Sequence, residues 1–243
     1  MDSAAPLFAG WRETMVWTCL QGHMGSVATD GRTPPESALC AVGDFCFLAG
    51  KPDPELARQA DRPILIPRTP DWEPVLRSVF GEKASPFPRY AMDGPEEFDR
   101  ERLAAYAAAL PEGYALSPIL PQHYPVLMGQ AWSKDLCGNF RDGDDFVRRG
   151  LGVIALQDGI PVAGASSYTI HDGGVEIEID TRPDQRRKGL ALSCGARLIL
   201  DCLDRGLVPS WDAHNLPSVS LAEKLGYRLH APYRAYLLDL NPS

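Results

Sequence analysis

Arg186, Arg187 and Lys188 stand in a row before a small-residue turn, Gly189-Leu190-Ala191. The segment that follows has a helical period: Ala191, Cys194, Leu198 and Cys202 fall on a dry stripe, and Arg197, Asp201, Asp204 and Arg205 on a wet one. A helix start exposes unpaired N–H groups and the positive end of the macrodipole, so cations there make sense only with an anion between them. Gly189 and Ala191 leave room for that anion to touch the backbone. The stretch reads as a pyrophosphate cradle, with Ser193 as a further donor one turn into the helix. No G-x-x-x-x-G-K-[ST] occurs, and no G-x-G-x-x-G opens a helix. Gly150-Leu151-Gly152 runs into the apolar "VIALQ" and reads as a turn.

The cradle needs a strand before it and a helix after it. "VEIEIDTRP" alternates, with Val175, Ile177 and Ile179 on one face and Glu176, Glu178 and Asp180 on the other, and Pro183 ends the ladder. "LGVIALQDG" and "IPVAGASSYTIHDGG" come before it, and Asp158-Gly159 and Asp172-Gly173-Gly174 supply tight turns, so three antiparallel strands are expected. Beyond the helix and Gly206, "VPSWDAH" reads as one strand, "LPSVSLAEKLG" as a helix ending at Gly226, and "YRLHAPYRAYLLDL" as a pair of strands. Upstream, "YALSPI" reads as a strand, and "PQHYPVLMGQAW" and "DGDDFVRRG" as helices. Before Pro111 the expected elements are two short strands about Gly43-Asp44, a strand in "RPILIP", a helix from about Trp72 and another in "PEEFDRERLAAYAAALPEG". The chain divides on this reading into a smaller α+β domain, 1–112, without a catalytic motif, and a second domain, 113–243.

A net charge of −8 over 243 residues argues against nucleic acid or an anionic membrane surface as the main partner and suits a cationic small molecule. No stretch has the length of a membrane span and the N-terminal residues carry no leader pattern, so a soluble, cytoplasmic protein is expected. Six scattered cysteines without a CxxC pair or a close histidine read as buried thiols, and no metal is expected.

Arg186-x-x-Gly189-x-Ala191, after an alternating strand and at the head of an amphipathic helix, resembles the acyl-CoA motif of the GNAT superfamily of N-acetyltransferases. "N-x-x-S-x-x-L-A-E-K-L-G-Y", Asn215 to Tyr227, resembles the family's strand-to-helix element. The whole-chain layout is similar to the two-domain bacterial subgroup that includes the zwittermicin-resistance acetyltransferase. The resemblance implies a mixed α/β fold: a central mixed, mostly antiparallel sheet flanked by helices, behind the smaller α+β domain. It implies direct transfer from acetyl-CoA to a primary amine of a small molecule or natural product.

The resemblance also assigns roles. Glu176 or Glu178 is the candidate general base, since an alkyl ammonium must lose a proton before it attacks. The Ile179 backbone N–H is placed at the thioester oxygen, and Thr181 at the pantetheine, with Asp180 contributing backbone. Arg186, Arg187, Lys188, Gly189, Leu190 and Ala191 hold the CoA phosphates, and Asn215 and Ser218 the pantetheine arm. The family often places a Tyr acid where this chain has Ala222, so Ser218, Ser220, His214 or water must replace it, or no acid is needed. His214 reads first as a strand-end residue, and Trp211 and Tyr227 as core. A longer acyl-CoA donor, or a CoA-binding regulator that has lost catalysis, stays open, as does a homodimer.

Overall fold

The computed structural model describes residues 3–240. The chain groups into two compact units, Met1–Arg89 with Pro232–Ser243, and Tyr90–Ala231. In the first, α1 (Ala5–Phe8) and α2 (Met15–Leu20) precede β1 (Ser26–Thr29), β2 (Ser37–Val42) and β3 (Phe45–Gly50). Next come α3 (Pro54–Ala57), β4 (Ile64–Pro67) and α4 (Glu73–Phe80), and β5 (Ala84–Asp93) leads into the second unit. The expected hairpin about Gly43-Asp44 joins β2 to β3, and β3 pairs β4 in parallel. Leu48, Leu65 and Leu76 close around a fully buried Trp72.

The second unit begins with α5 (Arg100–Ala108), β6 (Tyr114–Pro118), α6 (Tyr124–Met128) and α7 (Gly143–Arg149). The meander follows as β7 (Gly152–Gln157), β8 (Ile160–His171) and β9 (Gly174–Thr181), and then α8 (Leu190–Asp204), β10 (Val208–Ser210), β11 (Asp212–Ala213) and α9 (Leu216–Leu225). The last strand, β12 (Arg228–Leu238), starts in this unit and belongs to the first from Pro232 on, where Tyr236 and Leu237 pair with β4. The sheet order β10-β9-β8-β7-β6 is antiparallel except for the β10–β9 pair, a mixed sheet flanked by helices. Asp158 and Gly159, at φ 52° and 77°, and Gly173, at φ 83°, make the two hairpin turns.

α8 lays its dry side on this sheet: Cys194, Leu198 and Cys202 of the expected stripe are buried in one cluster with Leu190, Val175 and Ile177, whereas Ala191 is only half-buried. Gly195 lets α8, β9 and α9 close up, since a Cβ there would lie 2.9 Å from both Ile179 Cδ1 and Leu225 Cδ1. All six cysteines are buried thiols.

Three expectations change. The 112/113 boundary falls inside the second unit, because α5 packs on α8 and contributes Leu103 to its core. "YRLHAPYRAYLLDL" forms one strand, β12, instead of two. "VPSWDAH" is cut at Trp211: β10 pairs β9, whereas β11 pairs Tyr90 and Ala91 of β5. This third difference creates the site.

Candidate active site

β9 has two sides. Arg182 N–H donates to Val162 O of β8 at 2.9 Å, so the residues alternating with it along the antiparallel ladder, Asp180 and Glu178, also turn their N–H groups toward β8. Ile177, Ile179 and Thr181 turn theirs the other way. On that edge the pairing with β10 runs only from Gly174↔Val208 to Glu176↔Ser210, after which the chain leaves for β5. Residues 177–181 therefore pass the end of the ladder with the amides of Ile179 and Thr181 facing a wedge between diverging strands. Such amides can hold a carbonyl oxygen that gains charge.

Beyond β9, Pro183–Gln185 forms a 3-10 turn, and Arg182 pairs with Asp184 at 2.7 Å. Gly189 caps α8 in the left-handed region at φ 84°, where a Cβ would meet nothing within 4 Å. Ser193 N–H donates back to Gly189 O, so the amides of Leu190, Ala191 and Leu192 lie ahead of the first intrahelical bond. No acidic side chain stands in that first turn.

The three cations are not equivalent. Lys188 Nζ donates to Gln185 Oε1 at 2.6 Å and to the Tyr114 hydroxyl at 3.1 Å, and Tyr114 donates to the same Gln185 oxygen at 2.7 Å. Lys188 thus ties the turn to β6. Arg186 Nε donates to Thr181 O at 3.3 Å, and Arg187 is exposed at φ 62°, a conformation that suits glycine better. Arg187→Gly is therefore expected to keep or raise the melting temperature, which paired melting curves check. Ser193 is buried with its hydroxyl donating to Tyr106 O at 2.9 Å, which takes it out of the anion site.

The carboxylates differ as sharply. Glu176 is buried and its Oε1 accepts the Asp212 N–H at 2.8 Å, at the point where β11 diverges. Its oxygen fixes the wedge, so as a candidate base it is already engaged. Glu178, opposite Ser166, is half-buried. Asp180, also half-buried, is pushed up to about 6 by its burial and then by the charge of Asp135, against the opposing pull of Arg186.

Asn215 caps α9: its Oδ1 accepts the Ser218 N–H at 2.9 Å. Ser218 Oγ accepts the indole N–H of buried Trp211 at 3.2 Å, and Tyr227 packs edge-on to that ring and donates to Pro209 O. His214 and Ser220 are exposed. Ala222 lies fully buried in the core.

A family model of GNAT acetyltransferases matches residues 5–236. The chain belongs to that family. Among the GNAT proteins of known structure, a GCN5-related N-acetyltransferase-like protein from Streptococcus suis is 44% identical, superposes with a TM-score of 0.93, and matches over 97% of each chain. A GCN5-related N-acetyltransferase from Kribbella flavida, 17% identical with a TM-score of 0.56 over 100% of this chain and 97% of its own, shares the fold. Bacillus subtilis YdfB, named an uncharacterized N-acetyltransferase, is 26% identical over 92% of this chain and 89% of its own. The GNAT family name carries acyl transfer with it. Among the described residues no cluster of His, Cys, Asp or Glu is arranged to hold a metal ion, and no helix is long and apolar enough to cross a membrane.

Three contributors to this GNAT site escape the sequence pattern. Tyr114 reaches Gln185, beside the Arg186–Ala191 turn, from 71 residues away, and Asp135, in the turn Lys134–Leu136, adds a charge that acts on Asp180. Tyr114 and Asp135 lie outside the local motif, and only the fold brings them in.

Proposed function

We propose that this chain is an acetyl-CoA-dependent N-acetyltransferase that transfers the acetyl group directly to a primary amine of a small molecule or natural product. The observation that carries the reading is the wedge at residues 177–181, which opens beside the glycine-capped start of α8 on the same strand-turn-helix unit. On this reading the amides of Leu190 and Ala191, with Gly189 leaving the approach open, hold the pyrophosphate, and Arg186 and Arg187 supply charge. Lys188 acts as a brace for the turn. The Thr181 amide faces the pantetheine and the Ile179 amide the thioester oxygen, while Asn215 and Ser218 shape the far wall through α9.

Ala222 favours a step without a tyrosine acid, because the position is buried in the core and lacks a hydroxyl. A thiol with a pKa of about 8.5 leaves without one. The same residue is what supports the alternative of a CoA-binding protein that has lost turnover.

Calorimetric titration with acetyl-CoA and CoA, followed by thiol release in the presence of primary amines, tests both. Micromolar binding with release of CoA supports the transferase, binding without turnover supports the regulator, and a folded protein that binds neither ligand overturns the reading.

A further inference from the structure

The proton is the difficult part of acylating an alkyl amine, and the strand face that runs past the wedge carries three carboxylates. Glu176 is withdrawn from the contest by the Asp212 amide, 36 residues away. Asp180 sits between Ile179 and Thr181, whose amides face the wedge, so its backbone position is fixed beside the reacting edge.

A cover is built over Asp180. Ser166 Oγ donates to Leu136 O at 2.6 Å, seating the Lys134–Leu136 turn on β8. Gly164, directly opposite Asp180, permits that seat, because a Cβ there would lie 2.7 Å from Leu136 Cδ1. The turn also lies against β9, where the charge of Asp135 acts on Asp180. Asp135 and Arg186 are the charges that act on Asp180, and Glu178 shares its strand face.

We infer that Asp180 is the catalytic residue that accepts the ammonium proton of the acceptor amine, with Asp135 on the adjacent turn as a neighbouring like charge. The inference rests on the acyl-transfer reading. Asp180 carboxylate takes one proton from R–NH3+, the freed lone pair forms the C–N bond at the thioester carbon, and the C–S bond breaks. The second nitrogen proton ends on the CoA thiolate, and Asp180 returns its proton to water. A carboxyl titrating at about 6 is ionised at neutral pH yet is a stronger base than an exposed aspartate.

The test uses Asp180→Asn, Asp180→Glu, Asp135→Asn and Glu178→Gln in the full chain, with acetyl-CoA and a panel of putrescine, spermidine and benzylamine. In wild type, kcat/KM is expected to fall on the acid side of about pH 6. Asp180→Asn should lose that limb and roughly 100-fold in kcat while acetyl-CoA affinity stays within about twofold, and Asp180→Glu should recover part of the rate. Asp135→Asn should move the limb to lower pH.

A second readout needs no substrate. A carboxyl raised in the folded state binds more protons there than in the unfolded chain, so wild type loses stability as pH rises from about 4 toward 6. Asp180→Asn should therefore melt higher than wild type above about pH 6, and the advantage should vanish toward pH 4. Wild-type turnover by Asp180→Asn, transfer of the acid limb to Glu178→Gln, or the absence of this stability crossover would overturn the assignment. A wild-type protein that binds acetyl-CoA poorly and acylates no amine, yet shows the crossover, overturns the acyl-transfer reading, and the catalytic role of Asp180 with it.

Discussion

Gly189→Glu is expected to abolish CoA binding, by more than about 1,000-fold, in a protein that still folds. The glycine holds φ 84° and caps α8 with open space where a side chain would stand. A left-handed L-residue costs roughly 1–2 kcal/mol. The new carboxylate partly offsets that cost, because a negative charge at a helix N-terminus is worth about 0.3–1 kcal/mol. Stability therefore changes little, and for the same reason function is lost. The side chain becomes an intramolecular anion in the place of the pyrophosphate, and its charge repels the ligand. Gly189→Ala separates the two effects, since it carries the strain without the charge and should weaken binding only several-fold. Calorimetry with CoA beside melting curves decides the matter. A folded Gly189→Glu that binds like wild type would remove the phosphate site from the head of α8.

What could be read in the sequence was what short-range chemistry dictates. Asp158-Gly159 and Gly173 announce hairpins because few other residues take positive φ, and the structure places both turns there. The two stripes of α8 follow from burial on one side only, whereas β9 is buried on both faces along its first half and half-buried on both along its second, so its alternation separates two faces without leaving either one to solvent. "VPSWDAH" failed at Trp211 because every residue in it suits a strand, and nothing local says that its two halves pair with different strands, β9 and β5. β5 itself carries Pro86 and Pro88, which cannot donate to a ladder, so its sequence lacks a strand pattern. α5 was grouped with the first half by proximity along the chain, whereas its core residue Leu103 belongs with α8.

The candidate site shows the same division. Residue types near the cradle were legible, and their commitments were not. Lys188 reads as one of three phosphate cations until Tyr114 and Gln185 are brought to it. Glu176 and Asp180 look alike in an alternating strand, and one is engaged by a backbone amide while the other is pressed by a second carboxylate. Both partners are supplied by the fold across long stretches of chain.

That asymmetry sets up the last expected result, at Glu176. If its oxygen is a brace and not a base, the requirement is for an acceptor, and charge is secondary. Glu176→Gln keeps an Oε1 for the Asp212 N–H at the present 2.8 Å and should retain most of the melting temperature, CoA affinity and turnover. Glu176→Ala removes the acceptor of the Asp212 N–H from a buried place and opens a small void. Removing one partner of a buried hydrogen bond costs about 1–3 kcal/mol, so the melting temperature should fall by several degrees. Activity should suffer more than stability. β11 is released from its anchor on β9, the wedge that aims the Ile179 amide changes width, and a displacement on the order of 1 Å near reacting groups costs about 100-fold in rate. Thermal melts and thiol-release kinetics on the two variants give opposite patterns for the two roles. Loss of turnover in Glu176→Gln with unchanged stability would return Glu176 to the position of base and leave Asp180 without that task; tolerance of Gln with failure of Ala would fix it as the residue that holds the strands apart.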